Sequence, residues 1–338
     1  MSQILQKLRP YIKTIAATGI GLIVVGAILL KFASPGRPAG DGSVQIDFEV
    51  PAGAGAQTVG RELENAGLIR SAPYFRTMLR LTGRSQDIKV GIYELNDGMS
   101  GDEIADILTE GRVRLTALTI PEGWTNRQIG DYFAEKGFVR DRAEFLEIAS
   151  DAAVRQKYNI PEQTTEGYLF PETYKVPDGY PAAKIQEVMI RRFYSVLDEI
   201  KGDQEFSPEE LRKRIVLASI VEREAVKPEE RPMMARVFLN RLDESMRLES
   251  CATVQYLFDK PRPRLFERDL KIESPYNTYL HKGLPPGPIS NPGRAALEAA
   301  FDPVDNDYLF FVLKPDGSHH FSRTYQEHLN AKRRYIDS

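Results

Sequence analysis

The segment at 207–226 constrains the fold more than any other part of the sequence. Its first letters, SPEE at 207–210, have the pattern of a capping box with proline at the first helical position, which predicts the start of a helix. From Ile215 to Val221 this helix is apolar on almost every side, so it presents no polar face to water. We therefore expect the chain to fold around it as a central, buried element.

One glutamate, Glu222, follows the apolar part of this helix and lies on its buried side. At about 100° per residue, Ala218 and other apolar residues fall within about 60° of Glu222, whereas Glu224 lies about 160° further round. Burial disfavours the charged form of a carboxyl group and raises its pKa, which suits a general acid near neutral pH. The residues alone leave another interpretation open, in which Glu222 is the structural partner of Arg231 or Arg236.

An internal repeat precedes this helix. Residues 51–69 and 121–139 align without gaps at an offset of 70, and 97–113 is a weaker third copy. Each copy has the pattern of a turn, an amphipathic helix and a final glycine. Two interpretations stay open: a β-turn-α unit that only folds, or small modules that bind an extended sugar polymer. Further helices are predicted over 72–83, 141–158, 182–201 and 230–242.

An uncharged apolar run near the start predicts a membrane anchor. Thr14–Leu30 contains 17 residues between two lysines, which span about 25 Å as a helix, and the next two residues extend it. A cleaved signal peptide is the alternative, but its apolar region is usually shorter, about 7–15 residues. Basic residues before the run favour a cytoplasmic N-terminus. The expected organisation is a cytoplasmic tail at 1–13, a transmembrane helix at 14–33 and a linker at 34–43.

Composition excludes several classes of protein. With 45 basic and 48 acidic residues, the net charge is −3, so binding to nucleic acid by phosphate neutralisation is not expected. The one cysteine, Cys251, excludes a disulfide framework and a multi-cysteine zinc site. The four histidines show no HExxH pattern. We therefore expect neither a metal nor another cofactor.

Two aromatic, proline-containing segments at 160–176 and 274–293 predict ligand-binding loops. The second is too rich in proline and glycine to form a regular helix or central strand. Rigid loops with aromatic faces and neutral amides suit an uncharged ligand rich in hydroxyl groups, although ordinary surface loops are the alternative. The residues predicted to contact such a ligand, in and between these loops, are Glu166, Tyr168, Glu172, Asn240, Thr253, Gln255, Tyr276, Asn277, Ser290 and Asn291.

Seven ordered blocks carry a resemblance to a known family. They are IPEGWT (120–125), EGYLFPETY (166–174), LASIVERE (217–224), ARVFLNRL (235–242), TVQY (253–256), SPYNTY…GLPPGPISNPG (274–293) and HHFSRTYQEH (319–328). This series resembles the YceG-like, or MltG, family of endolytic murein transglycosylases. The resemblance implies an α+β fold with a small LysM-like β-α subdomain at 44–117. It also implies a mixed α/β catalytic domain at 118–338, built round the buried helix.

The same resemblance implies an activity and a location. In the family, the first glutamate of the IVE-x-E block is the catalytic acid, which corresponds to Glu222. The implied reaction cleaves the MurNAc-GlcNAc β-1,4 bond of nascent glycan strands, leaves 1,6-anhydroMurNAc ends and limits strand length. The implied location is the bacterial inner membrane, with a periplasmic catalytic domain and peptidoglycan synthases as partners. Cys251 departs from the family, whose members often carry an aspartate or another polar residue there.

Two other functions remain open from the sequence. A hydrolytic muramidase would cleave the same bond with water, and it would need a second carboxylate, for which Glu166 and Glu172 are the predicted residues. A non-enzymatic glycan-binding scaffold of the cell-wall synthesis machinery would keep the repeats but would not need an ionisable residue at position 222.

Overall fold

Helices and two-stranded sheets alternate along residues 35–51 and 53–336, the part of the chain that this computed structural model describes. The described strands form three sheets of two strands each, and this mixture confirms the predicted α+β class. The predicted cytoplasmic tail and transmembrane helix lie outside the described residues. Within those residues, every helix is too short or too polar to cross a membrane.

The described chain divides into two units. The first comprises the described residues up to Thr116 together with Pro177–Gly179. Its strands β1 and β2 pair in antiparallel fashion, with Phe48 opposite Tyr93. Three amphipathic helices bury their apolar sides in one cluster that includes Leu63 and Leu79. The bounds are β1 Gln45–Val50, α1 Ala56–Asn65, α2 Ala72–Leu81, β2 Gly91–Asn96 and α3 Gly101–Glu110.

The second unit begins at Ala117 and surrounds the central helix α8. All residues from Ile215 to Val221 are buried, and α8 packs against α9, α10 and α11, so the predicted burial is confirmed. The Ser207 hydroxyl accepts a hydrogen bond from the Glu210 N–H, and the Glu210 carboxylate accepts one from the Ser207 N–H, which confirms the capping box. Strand β3 begins two residues before this unit, and β4 ends one residue beyond its first segment. The bounds are β3 Leu115–Thr119, α4 Asn126–Glu135, α5 Arg142–Ala149, α6 Ala152–Lys157, β4 Thr173–Pro177, α7 Ala182–Lys201, α8 Pro208–Glu224, α9 Arg231–Asp243, α10 Cys251–Gln255, α11 Arg294–Phe301, β5 Phe310–Leu313, β6 His319–Ser322 and α12 Tyr325–Tyr335.

The repeat corresponds to one local structure that occurs in both units. Gly53 and Gly123 turn the chain ahead of the helix with φ of +82° and +74°, and Gly67 and Gly137 follow the helix with φ of +72° and +77°. Glycine adopts this left-handed region without the steric cost that a side chain imposes. The backbone conformation therefore explains why both copies of the repeat have glycine at these positions, whether or not the repeats bind a sugar polymer.

One predicted helix is wrong in its extent. The pattern at 141–158 forms two helices, α5 and α6, rather than one. The break follows from side-chain chemistry: the Asp151 carboxylate accepts hydrogen bonds from the N–H groups of Ala153 and Val154 and so starts a new helix. The segment at 274–293 has no regular helix or strand, as predicted.

Candidate active site

Glu222 lies in the last turn of α8, and its side chain is only 5% exposed. The Nη2 atom of Arg231 donates to its Oε1 at 2.8 Å, and the backbone N–H of Gly293 donates to its Oε2 at 2.9 Å. The structure thus combines the two interpretations left open by the sequence, because Glu222 is both buried and paired with an arginine. Of the two arginines considered, Arg231 is the partner.

The surroundings of Glu222 act on its pKa in opposite directions. Burial is the largest effect and raises the pKa, and the negative charge of Glu122 raises it further. The Gly293 N–H and the cations of Arg231 and Arg223 lower it, but the net shift is upward. A larger fraction of Glu222 is therefore protonated near neutral pH than of an exposed glutamate, as a general acid requires.

A second carboxylate, Glu122, lies beside Glu222, and no pattern in the sequence distinguished it. Its side chain is 49% exposed, and its Oε2 is 3.8 Å from the same Nη2 atom of Arg231. The Glu122 carboxyl lies over Gly293, where a Cβ atom would come within 2.0 Å of Oε1. Glu122 is the glutamate of the IPEGWT block, which was recognised in the sequence. No local sequence pattern, however, places position 122 near position 222.

A buried amide connects the loops behind Glu222. Asn291 is fully buried, and its Oδ1 accepts hydrogen bonds from the backbone N–H groups of Gly167 and Leu169, both at 2.9 Å. Its Nδ2 donates to the Trp124 carbonyl at 3.0 Å and to Glu166 at 3.2 Å. Gly293 follows Asn291 by two residues, so these bonds fix the loop whose Gly293 N–H donates to Glu222.

Glu166 is the acidic member of this buried network. Its carboxyl accepts hydrogen bonds from the Asn126 N–H at 3.0 Å and from the Tyr256 hydroxyl at 3.3 Å. Burial raises the pKa of Glu166 to about 8, although the Asn126 N–H and the Arg127 cation act in the opposite direction. Burial therefore favours the neutral form of Glu166, whose carboxyl joins Asn126, Tyr256 and Asn291 inside the protein.

Four other residues predicted to bind substrate are buried, and their side chains bond to the backbone. Asn240 donates to the carbonyl of Tyr308 at 2.9 Å, and Asn277 donates to that of Ile272 at 2.8 Å. The hydroxyls of Thr253 and Ser290 donate to the carbonyls of Ser250 and Ser219, at 2.7 and 3.0 Å. These bonds shape the loops, and contact with substrate stays a prediction.

The remaining four predicted residues each lie in a different setting. Tyr168 is buried and donates to Glu162 at 2.8 Å, whereas the half-exposed Glu172 forms an ion pair with Arg192 at 2.8 Å. Gln255 exchanges two hydrogen bonds of 2.8 Å with the backbone of Arg262. Tyr276 packs its ring 5.1 Å from that of Tyr256. The structure thus brings Glu166 and Asn291 into one network behind Glu222, and Tyr256 links this network to Tyr276.

Glu224, the other glutamate of the block, has a different environment. Its Oε1 accepts from the Ala252 N–H at 3.1 Å and from the Ser250 hydroxyl, so it binds the first turn of α10. It also lines a cavity with Cys251 and Tyr279. Within 35–51 and 53–336, no group of three or more His, Cys, Asp or Glu side chains is placed to hold a metal ion.

Comparison with known proteins identifies the family of the chain. The model of the YceG-like family matches residues 48–334. An endolytic murein transglycosylase of Bacillus subtilis (strain 168) is 31% identical over 334 residues, which cover 94% of this chain and 92% of that protein. The protein of the same name from Streptococcus pneumoniae (strain D39) is 27% identical, and the match spans 59% of its length. A crystal structure of a YceG-like protein from Listeria monocytogenes superposes with a TM-score of 0.58 at 33% identity, over 86% of this chain and 99% of that one. The chain therefore belongs to the YceG-like family.

Proposed function

We propose that the protein is an endolytic murein transglycosylase and that Glu222 is its catalytic acid. The observation that carries the proposal is the state of Glu222: a buried carboxyl with a raised pKa, held by one arginine and one backbone N–H. The name of the B. subtilis relative, which is similar over nearly its whole length, supports the same reaction.

The reaction needs one group that first donates a proton and then accepts one. Protonated Glu222 donates to the oxygen that bridges MurNAc and GlcNAc, and the bond between this oxygen and C1 of MurNAc breaks. The acetamido group of the substrate stabilises the positive charge at C1. Arg231 and the Gly293 N–H stabilise the Glu222 anion that remains. The 6-hydroxyl of MurNAc then attacks C1 and returns its proton to Glu222, which closes the 1,6-anhydro ring without consuming water.

The two carboxylates first considered for a hydrolytic muramidase have other partners. Glu166 is buried inside the loop network, and Glu172 is paired with Arg192. Neither of them is among the groups that act on the charge of Glu222, whereas Glu122 is. A glycan-binding scaffold gives no reason for a carboxyl that is buried and held by two donors next to a half-exposed second carboxylate.

The wider biological setting extends the same proposal. The uncharged run at 14–30 supports a single membrane anchor, with the N-terminus in the cytoplasm and the described residues in the periplasm. The N-terminal unit is proposed to be the LysM-like subdomain that holds the glycan. An endolytic enzyme at this location would limit the length of nascent strands beside peptidoglycan synthases.

Mass spectrometry of digested peptidoglycan tests the function. The full-length protein in detergent micelles is incubated with purified peptidoglycan as wild type, Glu222→Gln and Glu298→Gln, the last being an exposed glutamate of α11. We expect internal fragments with 1,6-anhydroMurNAc ends from the wild type and Glu298→Gln and none from Glu222→Gln. Reducing ends would instead indicate a muramidase, and folded wild type without cleavage would favour the scaffold.

A further inference from the structure

We propose that Glu122 is a second catalytic residue, an ionised carboxylate that stabilises the positively charged transition state generated by Glu222. This inference rests on the proposed transglycosylase function and adds a residue to its site. It assigns a role to the glutamate of the IPEGWT block, for which the sequence alone suggested none.

Arg231 connects the two carboxylates. Its Nη2 atom is 2.8 Å from Glu222 and 3.8 Å from Glu122, so the two nearest carboxyl oxygens lie within about 7 Å of each other. This upper limit overlaps the range of about 5–9.5 Å that separates the carboxyl groups of two-carboxylate glycosidases. The two groups are therefore close enough to act on one substrate.

The backbone holds Glu122 in this position. The N–H of the next residue, Gly123, donates to the Asn291 carbonyl at 2.9 Å, and Gly123 itself has φ of +74°. On the other side, the missing side chain of Gly293 leaves the space that the Glu122 carboxyl occupies. Glu122 is thus placed by the same loop that presents the Gly293 N–H to Glu222.

The two carboxyl groups have unlike environments. The Glu222 side chain is 5% exposed, and burial favours its neutral form, whereas the Glu122 side chain is 49% exposed and faces water. Pairs of carboxyl groups in such different settings divide the roles of acid and charge stabiliser in glycosidases.

A purely structural role explains Glu122 poorly. The short contact of Arg231 is with Glu222, and the distance to Glu122 is beyond that of a hydrogen bond. A half-exposed ion pair of this kind contributes little to stability, about 0–1 kcal/mol. The exposed carboxyl is instead available to a ligand.

In the reaction, Glu122 neither gains nor loses a proton. As the bond between C1 and the bridging oxygen breaks and Glu222 gives its proton to that oxygen, positive charge spreads over C1 and the acetamido group. The Glu122 carboxylate accepts a hydrogen bond from the acetamido N–H and stabilises this charge. It remains an anion while the 6-hydroxyl attacks C1 and its proton returns to Glu222.

Steady-state kinetics of Glu122→Gln and Glu122→Asp test the proposal on full-length protein with isolated glycan strands. We expect Glu122→Gln to lower kcat by about 100-fold with little change in KM, because a charge that acts in the transition state is lost. The charged groups facing Glu222 are Arg231 from α9, Arg223 from α8 and Glu122. The negative charge of Glu122 raises the pKa of Glu222, so Glu122→Gln should lower that pKa. The fall in kcat at alkaline pH, the alkaline limb of the profile, should therefore begin at a lower pH than in the wild type. Glu122→Asp keeps the charge and should recover part of kcat and the position of that limb.

The control variants separate the possible results. Glu298→Gln removes a similarly exposed carboxylate from α11 and should behave as the wild type. If Glu122→Gln keeps kcat within threefold and leaves the alkaline limb in place while Glu222→Gln is inactive, this proposal fails and the proposed function stands. Loss of the folded state in Glu122→Gln would also overturn it, because Glu122 would then be a structural partner of Arg231. An inactive, folded wild type would overturn both.

Discussion

Replacement of Glu166 by glutamine is expected to change how the stability of the protein depends on pH. Glu166 is buried in the network that joins Asn126, Tyr256 and Asn291. Burial raises the pKa of this carboxyl from its ordinary value of 4.5 to about 8. Glutamine has the same shape and mimics the neutral form, so Glu166→Gln removes the titration while it keeps a side chain that accepts hydrogen bonds.

The magnitude follows from proton binding in the two states. Between pH 4.5 and about 8, the folded protein holds the Glu166 proton and the unfolded chain has released it. Because the folded state binds more protons in this range, the free energy of unfolding decreases as the pH rises, by about 1.4 kcal/mol per pH unit. From pH 6 to pH 9 the loss is about 3 kcal/mol, since the curve levels off above the folded-state pKa. Below pH 4.5 the contribution is fully present.

Urea denaturation followed by tryptophan fluorescence measures this difference. Trp124 is the one tryptophan of the chain and lies in the same network, where its carbonyl accepts from Asn291. Unfolding curves of wild type and Glu166→Gln at pH 6 and pH 9 give the free energies of unfolding, and the other titrating groups cancel in the comparison. We expect the wild type to lose about 3 kcal/mol more than the variant.

The reasoning is wrong if wild type and Glu166→Gln lose the same free energy of unfolding within about 1 kcal/mol from pH 6 to pH 9. In that case Glu166 is ionised in the folded protein and its burial is offset by other charges. Glu298→Gln serves as the control, because it changes an exposed glutamate and should keep the pH dependence of the wild type.

Two further predictions concern the same site. Asn291→Ala should lower the free energy of unfolding by about 2–5 kcal/mol in urea denaturation, because two buried backbone N–H groups lose their acceptor. The control Asn330→Ala changes an exposed residue and should lower the free energy of unfolding by less than about 0.5 kcal/mol. Equal losses in the two variants would contradict the stabilising role of the Asn291 network. Arg231→Met removes a cation that lowers the pKa of Glu222, so the alkaline limb of the activity profile should move to higher pH, the direction opposite to that of Glu122→Gln; an unchanged limb would show that Arg231 does not act on the charge of Glu222.

Local patterns in the sequence were sufficient for the main helix and for the position of Glu222 on it. The capping box at 207–210 and the apolar residues from Ile215 to Val221 act within one helix, whose geometry repeats every 3.6 residues. The burial of Glu222 followed from that geometry alone. The split between α5 and α6 was missed because the N-cap of Asp151 competes with a helical pattern that continues on both sides.

Only the tertiary structure decided what surrounds Glu222. The Gly293 N–H that binds it is 71 residues away, and the Asn291 side chain binds Gly167 across 124 residues. No periodic pattern links positions so far apart, because their contact depends on how loops without regular structure pack against α8. For the same reason, the sequence identified a buried acid but assigned no role to Glu122, and it did not show that the Glu166 side chain is buried in a hydrogen-bond network. The Glu122 carboxyl lies over Gly293 only because the fold packs the loop at 120–125 against the loop at 274–293.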